Sequence, residues 1–477
     1  MAADWAYEEF KGIQFNDARL CRRFMDLMRR FGSHLGYSLT QAAGSGAKAK
    51  GAYRFFANEK VEMAVIVKPH VKMLIERAKN AGGPILNIQD TSGLNYFKHP
   101  SKEDQGHLGS SKKRPDSTGY WLHTGMATTS EGVPLGITYQ EVWARQNNKA
   151  GETADQKKSR LRKQPLDEKE SMRWLDGAEA TLPLISANLD VIQVGDRESD
   201  IFEFMQKCRE IGSSFLVRSK SDRSVEVLTP SGRSAIKSLH SHVNAAPILA
   251  NGKVVITGNG DRKGQTVTIS IRRQKVTILV PRSNRKKENA DGLIPIEASV
   301  ILVTSRVLVN GQRLYWILLT DRKTETEADL KLIINWYKLR WQIEIFHKTI
   351  KSGCKIEDCR LSNLDKLAPY LLMKSIAAVK IMELTYASQH SPNAPAKTFF
   401  SEQEWNVLKV ILYHEDKRPR VPKIQEIIQR IAIYGGYLPR KNKNPGIITL
   451  WRGWDSFQAG MDLLKRLPGN PFKTCGW

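Results

Sequence analysis

The sequence is short of cysteine, short of acid relative to base, and without long apolar runs. Its five cysteines, Cys21, Cys208, Cys354, Cys359 and Cys475, are odd in number and irregularly spaced. That excludes a disulfide framework and suits reduced thiols in a cytosol. Cys354 and Cys359 have no second Cys or His pair at zinc-finger spacing, which excludes a structural zinc site. No apolar run reaches the ~18–20 residues that span a bilayer. The opening MAADWAYEEF is acidic and mixed, unlike a signal or transit peptide, so a cytoplasmic protein is expected. Internal repeats and low-complexity tracts are lacking as well. What is present is a 477-residue chain, 41% hydrophobic, long enough for two to four domains with real cores. Its 74 Lys and Arg against 49 Asp and Glu leave a net charge of +25. A charge of that size on a non-repetitive chain points to a polyanion, most often nucleic acid.

Residues 1–68 read as helical. Asn16 or Asp17 caps a helix that buries Leu20, Phe24, Leu27, Met28 and Phe31, leaving Arg19, Arg22, Arg23, Arg29 and Arg30 outside. The segment GSGAKAKGAYRF (44–55) opens another helix. Small residues there let a backbone approach phosphates closely, although a plain interhelical loop would look similar. From Pro84 the pattern turns to strands: PILNIQDTSGLNYF, GYWLHTGMATTS and VPLGITYQEVWAR. The polar tract 145–172 reads as a mobile loop. A helix over 169–186 leads to LDVIQVGDRESDIF, where a strand ends at Asp196 and a helix follows at once. SSFLVRSKSDR is the next strand. This alternation predicts an α/β layer with mixed pairing. Residues 222–322 break it with β-like segments and the turn signals GNGD and Asn310-Gly311. Within them, residues 261–288 carry nine Lys or Arg against Asp261 and Glu288, a basic face. From 367 the chain is helical again.

The stretch Asn335–Lys351, NWYKLRWQIEIFHKTIK, reads as one amphipathic helix. Leu332, Trp336, Leu339, Ile343, Phe346 and Ile350 share the packing side, and Tyr337, Arg340, Glu344, Lys348 and Lys351 form a second stripe. One account of that stripe is a solvated face with i, i+4 ion pairs. The other is a site, because two further carboxylates end strands elsewhere. Asp90 closes ILNIQ and Asp196 closes VIQVG, and strand ends line the functional crevice of open α/β sheets. Asp90, Asp196 and Glu344 are oxygen donors of the kind Mg²⁺ takes. Two such ions ~3.5–4 Å apart would serve phosphoryl transfer.

The segment Tyr337-x2-Arg340-x3-Glu344-x6-Lys351 resembles the Y-R-E-K signature of the insertion-sequence-four (IS-four) family of bacterial DDE transposases. So do LNIQDTSGLNY around Asp90, GYWLH at 119–123, VGDRESDI around Asp196, FLVRSK at 215–220 and GAYRF at 51–55, in the same order over nearly the whole chain. The resemblance implies a ribonuclease H-like core at 69–366, interrupted by a β-rich insertion at about 222–322. A helical DNA-binding domain (1–68) and a helical dimerisation domain (367–477) would flank it. It implies a catalytic, metal-binding triad of Asp90, Asp196 and Glu344 with two Mg²⁺ ions, for which Mn²⁺ can substitute. Cut-and-paste transposition follows: nicking, hairpin formation and opening, and strand transfer. Tyr337, Arg340 and Lys351 would hold phosphates, with Lys348 beside them. Trp316 would stack a flipped base, unless it is an ordinary core tryptophan. Arg218 and Lys220 match positions near the DNA end. Arg23, Tyr53 and Arg54 are candidates for reading the element's terminal repeat, although Arg54 could equally be a helix-surface residue. The partners implied are element ends, target DNA and a second copy of the chain in a synaptic complex, near the bacterial nucleoid. A catalytically silent DNA-binding relative, or a nuclease or resolvase with the same core, are the competing readings. The 145–172 loop and 221–300 depart from the family pattern, so recognition of a particular end sequence does not carry over.

Overall fold

The computed structural model describes residues 4–109, 117–145, 153, 155–156, 159–160, 164, 169–229, 231–256, 265–281, 293–309, 311–400, 405, 408, 422–439 and 444–466. Most of the loop expected at 145–172, and much of the basic tract at 261–288, lie outside the described residues. Twelve strands are described: β1 (Ile85–Asn95), β2 (Gly106–His107), β3 (Thr118–Thr129), β4 (Pro134–Trp143), β5 (Val191–Gly195), β6 (Ser214–Arg218), β7 (Ser224–Leu228), β8 (Ser234–Ser238), β9 (Ala250–Ile256), β10 (Gln265–Ile278), β11 (Ile296–Val309) and β12 (Gln312–Thr320). The chain divides into two compact units. Met1–Ala81, Thr91–Gly151 and Gln342–Trp477 form the first, and Gly82–Asp90 with Glu152–Trp341 the second.

The second unit is a mixed sheet with helices. Its strand order is β1-β5-β6-β12-β11-β10-β7-β8, with β9 paired to β10. The β1–β5 and β5–β6 pairs are parallel, and the pairs from β6 onward are antiparallel. Parallel neighbours need crossovers, and helices Met172–Glu179, Leu182–Ser186 and Phe202–Glu210 lie in those connections. Every residue of β5 is buried, as suits an inner parallel strand. Trp174, Phe204, Phe215, Val300 and Leu319 belong to the core beneath. The Asn310-Gly311 signal marks a hairpin: Val309 pairs with Gln312, and Gly311 sits at φ 81°. Among the described residues, 222–322 hold β7 to β12 and an unforeseen short helix, Leu239–Asn244.

Two local expectations change. The helix expected over 169–186 is two helices, because Pro183 opens the second and has no N–H to continue the first. Asp196 is followed by a single 3-10 turn, Arg197–Ser199, and helix Phe202–Glu210 begins later. The Asp196 carboxylate accepts the Glu198 N–H at 2.7 Å and so closes that turn.

The first unit joins helices from both ends of the chain to a small strand group, β2-β3-β1 with β4 on β3, in which the β2–β3 and β3–β4 pairs are antiparallel. Helix Ala18–Ser33 is capped by Asp17, which accepts the Arg19 N–H at 2.8 Å, while Asn16 adopts φ 55°. Phe24, Leu27, Met28 and Phe31 are buried as expected, and Leu20 is half-buried. Helix Leu364–His390 is buried along most of its length, with Tyr370 edge-on to Phe31 and Phe56. Its Lys374 ammonium donates to the Leu35 and Tyr37 carbonyls. Burial pushes the Cys354 and Cys359 thiols up to about 12 and about 11. No helix among the described residues is long and apolar enough to cross a membrane.

Candidate active site

In the second unit, β1 and β5 pair from Ile85↔Val191 to Ile88↔Val194, a constant offset of 106. Continued two residues past the last pair, Ile88↔Val194, the same offset sets Asp90 opposite Asp196. Paired residues of adjacent parallel strands share a face and lie ~4.8 Å apart. Both backbones stay extended there: Asp90 lies within β1, and Asp196 has φ −84° and ψ −158°. The Arg340 Nη1 stands 3.7 Å from the Asp90 Oδ2.

Tyr337 is buried near these groups. Burial raises its hydroxyl pKa, and the guanidiniums of Arg340 and Arg218 pull it back. Trp316 meets the Tyr337 ring edge-on at 5.2 Å. Arg218 donates to the Tyr315 carbonyl at 3.0 Å, and burial is the main cause lowering its pKa. The Lys220 side chain is exposed, while its backbone N–H and that of Ser221 bond the carboxylate of Asp200, which pairs with Arg223. The second unit therefore gathers Asp90, Asp196, Arg218, Trp316, Tyr337 and Arg340.

The helix Asn335–Lys351 is not continuous. Helix Glu327–Leu339 ends where the Arg340 N–H turns back to the Tyr337 carbonyl, a tightened last turn. Helix Trp341–Lys348 follows, and Thr349–Gly353 form a π turn closed by Cys354 N–H on the Thr349 carbonyl. The single stripe drawn across this stretch is corrected accordingly. Tyr337 is 4% exposed and packs inward, and Leu332, assigned to the packing side, is 45% exposed.

In the first unit, Glu344 is half-buried on helix Trp341–Lys348 and Lys348 is exposed. The Lys351 ammonium donates to Ser92 Oγ at 2.6 Å. Thr91 Oγ1 and His123 Nδ1 are 2.8 Å apart, and His347 Nε2 is 3.4 Å from Thr124 Oγ1. Burial, then Lys351 and His123, hold His347 down at about 3, so its ring is neutral. These hydroxyls and imidazoles escaped the sequence reading. Their signals were the small polar pair after Asp90 in DTSG and the His-Thr inside an otherwise buried strand. On the N-terminal helices Arg23 and Tyr53 are half-buried and Arg54 is exposed. The Arg23 guanidinium lies against Gly51, where an added Cβ would meet it at 2.9 Å.

Carboxylates in register are suitable donors for a hard divalent cation. Among the described residues no group of three or more His, Cys, Asp or Glu is close enough to hold a metal ion, and the Arg340 guanidinium stands beside Asp90. The donor chemistry of the Asp90–Asp196 pair fits a metal. Residues 2–61 match the transposase DNA-binding family, and residues 175–380 match the transposase DDE domain. The second match spans Asp196, Arg218, Lys220, Trp316, Tyr337, Arg340, Glu344, Lys348 and Lys351, and stops short of Asp90.

Proposed function

Starting from a chain that is a metal-dependent DNA transposase by its DDE domain and binds DNA through a transposase DNA-binding domain, we propose that it moves an insertion sequence by cut and paste. The proposal includes membership of the IS-four family, with the transposase of transposon five as a similar protein. The observation that carries it is the β1–β5 register, which brings Asp90 and Asp196 together beside Arg340.

On this reading Asp90, Asp196 and Glu344 are the catalytic carboxylates and hold two Mg²⁺ ions, with Mn²⁺ as a substitute. Ions held by these carboxylates would supply Lewis-acid charge to the attacking and leaving oxygens of a phosphodiester. The proposed reaction order is nicking, hairpin formation, hairpin opening and strand transfer. Tyr337, Arg340, Lys348 and Lys351 hold the phosphates around the scissile bond, Arg340 through a planar fork and the lysines as point charges. Trp316 holds the base that leaves the stack when the strand bends into a hairpin, worth ~1–3 kcal/mol of stacking. Arg218 and Lys220 meet the DNA end. Residues 1–68 read the terminal repeat with Arg23, Tyr53 and Arg54, residues 69–366 catalyse, and residues 367–477 pair two copies in the synaptic complex.

The test is a duplex ending in the terminal repeat found beside the gene, incubated with Mg²⁺ and either the native protein or Glu344→Ala. A denaturing gel should show nicking and then a hairpin-sized product, both lost in the variant. Nicking without a hairpin would remove the hairpin route. Tight binding without any cleavage would favour a catalytically silent DNA-binding relative.

A further inference from the structure

Inner parallel strands normally present apolar side chains to both faces. The pair that carries Asp90 and Asp196 does not. Asn87 and Gln89 on β1, and Gln193 on β5, are fully buried amides. Side chains alternate along a strand, so these three lie on the face opposite the two carboxylates.

There they form one hydrogen-bonded group. Gln193 Oε1 accepts from Asn87 Nδ2 at 2.7 Å and from Gln89 Nε2 at 3.1 Å. Gln193 Nε2 donates to Thr181 Oγ1 at 2.9 Å, and the Thr181 hydroxyl donates to the Ala178 carbonyl at 2.6 Å. Asn87 also donates to the Gly177 carbonyl at 3.3 Å. Gly177 makes room for the group, since a Cβ there would stand 2.3 Å from Gln89 Oε1.

Buried amides are tolerated only when hydrogen-bonded, and their bonds are directional. Gln193 bridges both β1 amides only while Asn87 lies opposite it. A one-residue slip of β1 would turn Asn87 and Gln89 to the other face and take both donors from Gln193 Oε1. Apolar side chains would pack in several registers with little difference. The directional group selects one, and that register sets Asp90 opposite Asp196.

We propose that Asn87, Gln89, Gln193 and Thr181 are positioning residues that lock the β1–β5 register and thereby fix the spacing of the Asp90 and Asp196 carboxylates. The inference rests on the reading of Asp90 and Asp196 as metal-holding carboxylates.

The test compares the full-length protein with the triple variant Asn87→Leu, Gln89→Leu, Gln193→Leu, in which the three buried amides are replaced by apolar side chains. Such replacements often leave a fold intact. Three quantities are read: thermal unfolding, Mn²⁺ binding to the DNA-free protein by loss of the free-ion paramagnetic signal, and the Mg²⁺ dependence of terminal-repeat cleavage. The triple variant should melt near the native temperature and still retard the duplex in metal-free buffer. It should bind Mn²⁺ about tenfold more weakly and require correspondingly more Mg²⁺ for half-maximal cleavage, within the ~10–100-fold range of lost outer partners. A folded triple variant with native Mn²⁺ affinity and Mg²⁺ response overturns the proposal. If the triple variant does not fold, Thr181→Val and Thr181→Ser decide. The valine variant should weaken Mn²⁺ binding and the serine variant should restore it; native affinity in the valine variant overturns the proposal. If the native protein cleaves no DNA, the proposed function falls, and the Mn²⁺ titration alone still decides this inference.

Discussion

Arg340, proposed above to hold a phosphate, is also the residue at which helix Glu327–Leu339 tightens and stops. The sequence reading put it on a stripe that could be a solvated face or a phosphate-holding site, and the structure stands its guanidinium 3.7 Å from the Asp90 carboxylate. A fork that can grip a phosphate in two places is not matched by an ammonium. Arg340→Lys is therefore expected to slow cleavage by about 10- to 100-fold, consistent with ~1.5–3 kcal/mol for a hydrogen bond to a charged group. Single-turnover gels would measure it, and a native rate would refute the role. Trp316 makes a separable prediction. If it stacks a displaced base, Trp316→Ala should keep nicking and lose hairpin formation by about 5- to 150-fold, the equivalent of ~1–3 kcal/mol. Loss of both steps together would instead mark Trp316 as a packing partner of Tyr337, the ring it meets at 5.2 Å. A third residue-scale prediction concerns acid. His347 is held down at about 3 from its ordinary 6.5 by burial, and Lys351 and His123 act in the same direction. Between those values only the unfolded chain takes the proton, so stability is lost as pH falls from 6.5 toward 3. Glu9 adds to this, because its carboxylate, lowered to about 2 by His70 and Arg77 against its burial, loses its advantage as pH falls below 4.5. Unfolding monitored against pH should show the slope, and a His347→Gln variant should flatten it above pH 4.5. An unchanged slope would mean that other groups carry it.

Among the elements, periodicity and turn chemistry identified most of the pieces but not their interruptions. β1, β3, β4, β5 and β6 fall where alternation and apolar runs put them, and the Asn310-Gly311 hairpin joins β11 to β12. The break at Pro183 comes from a missing N–H, and the break at Arg340 and the π turn at Thr349–Gly353 from single backbone hydrogen bonds, none of which a hydrophobic pattern records. Both carboxylates were picked out from sequence as closing strands; that holds for Asp196, which follows β5, whereas Asp90 lies inside β1, which runs on to Asn95. Their opposition depends on register, which is a relation between two distant segments. The amides behind them were passed over because an amide inside a strand looks like ordinary polar content. Gly177 yields an element-scale prediction. Gly177→Ala places a methyl 2.3 Å from Gln89 Oε1, an overpacking that costs about 1–3 kcal/mol. A fall in melting temperature of several degrees is expected, and an unchanged one would mean that helix Met172–Glu179 has room to shift.

Across the whole molecule, a net charge of +25 said more about partner than about fold. The transposase DNA-binding match at residues 2–61 makes DNA that partner. Many phosphate contacts release many counterions, so the logarithm of the binding constant should fall steeply and linearly with the logarithm of salt. A flat response would mean that the basic faces do not carry the DNA. The two compact units are each drawn from separated stretches, and the chain passes between them at Asp90–Thr91 and at Trp341–Gln342, within the blocks that carry the proposed chemistry. No local sequence pattern announces such a division.

The central claim is that Asp90, Asp196 and Glu344 hold the metal that cuts DNA. It is tested most directly by Asp196→Cys, assayed for terminal-repeat cleavage in Mg²⁺ and in Mn²⁺. A thiolate is a poor ligand for Mg²⁺ and a better one for softer ions. The account predicts a variant silent in Mg²⁺ that regains cleavage in Mn²⁺, with DNA binding unchanged throughout. Native cleavage in Mg²⁺ would contradict it, because Asp196 would then not be a metal ligand.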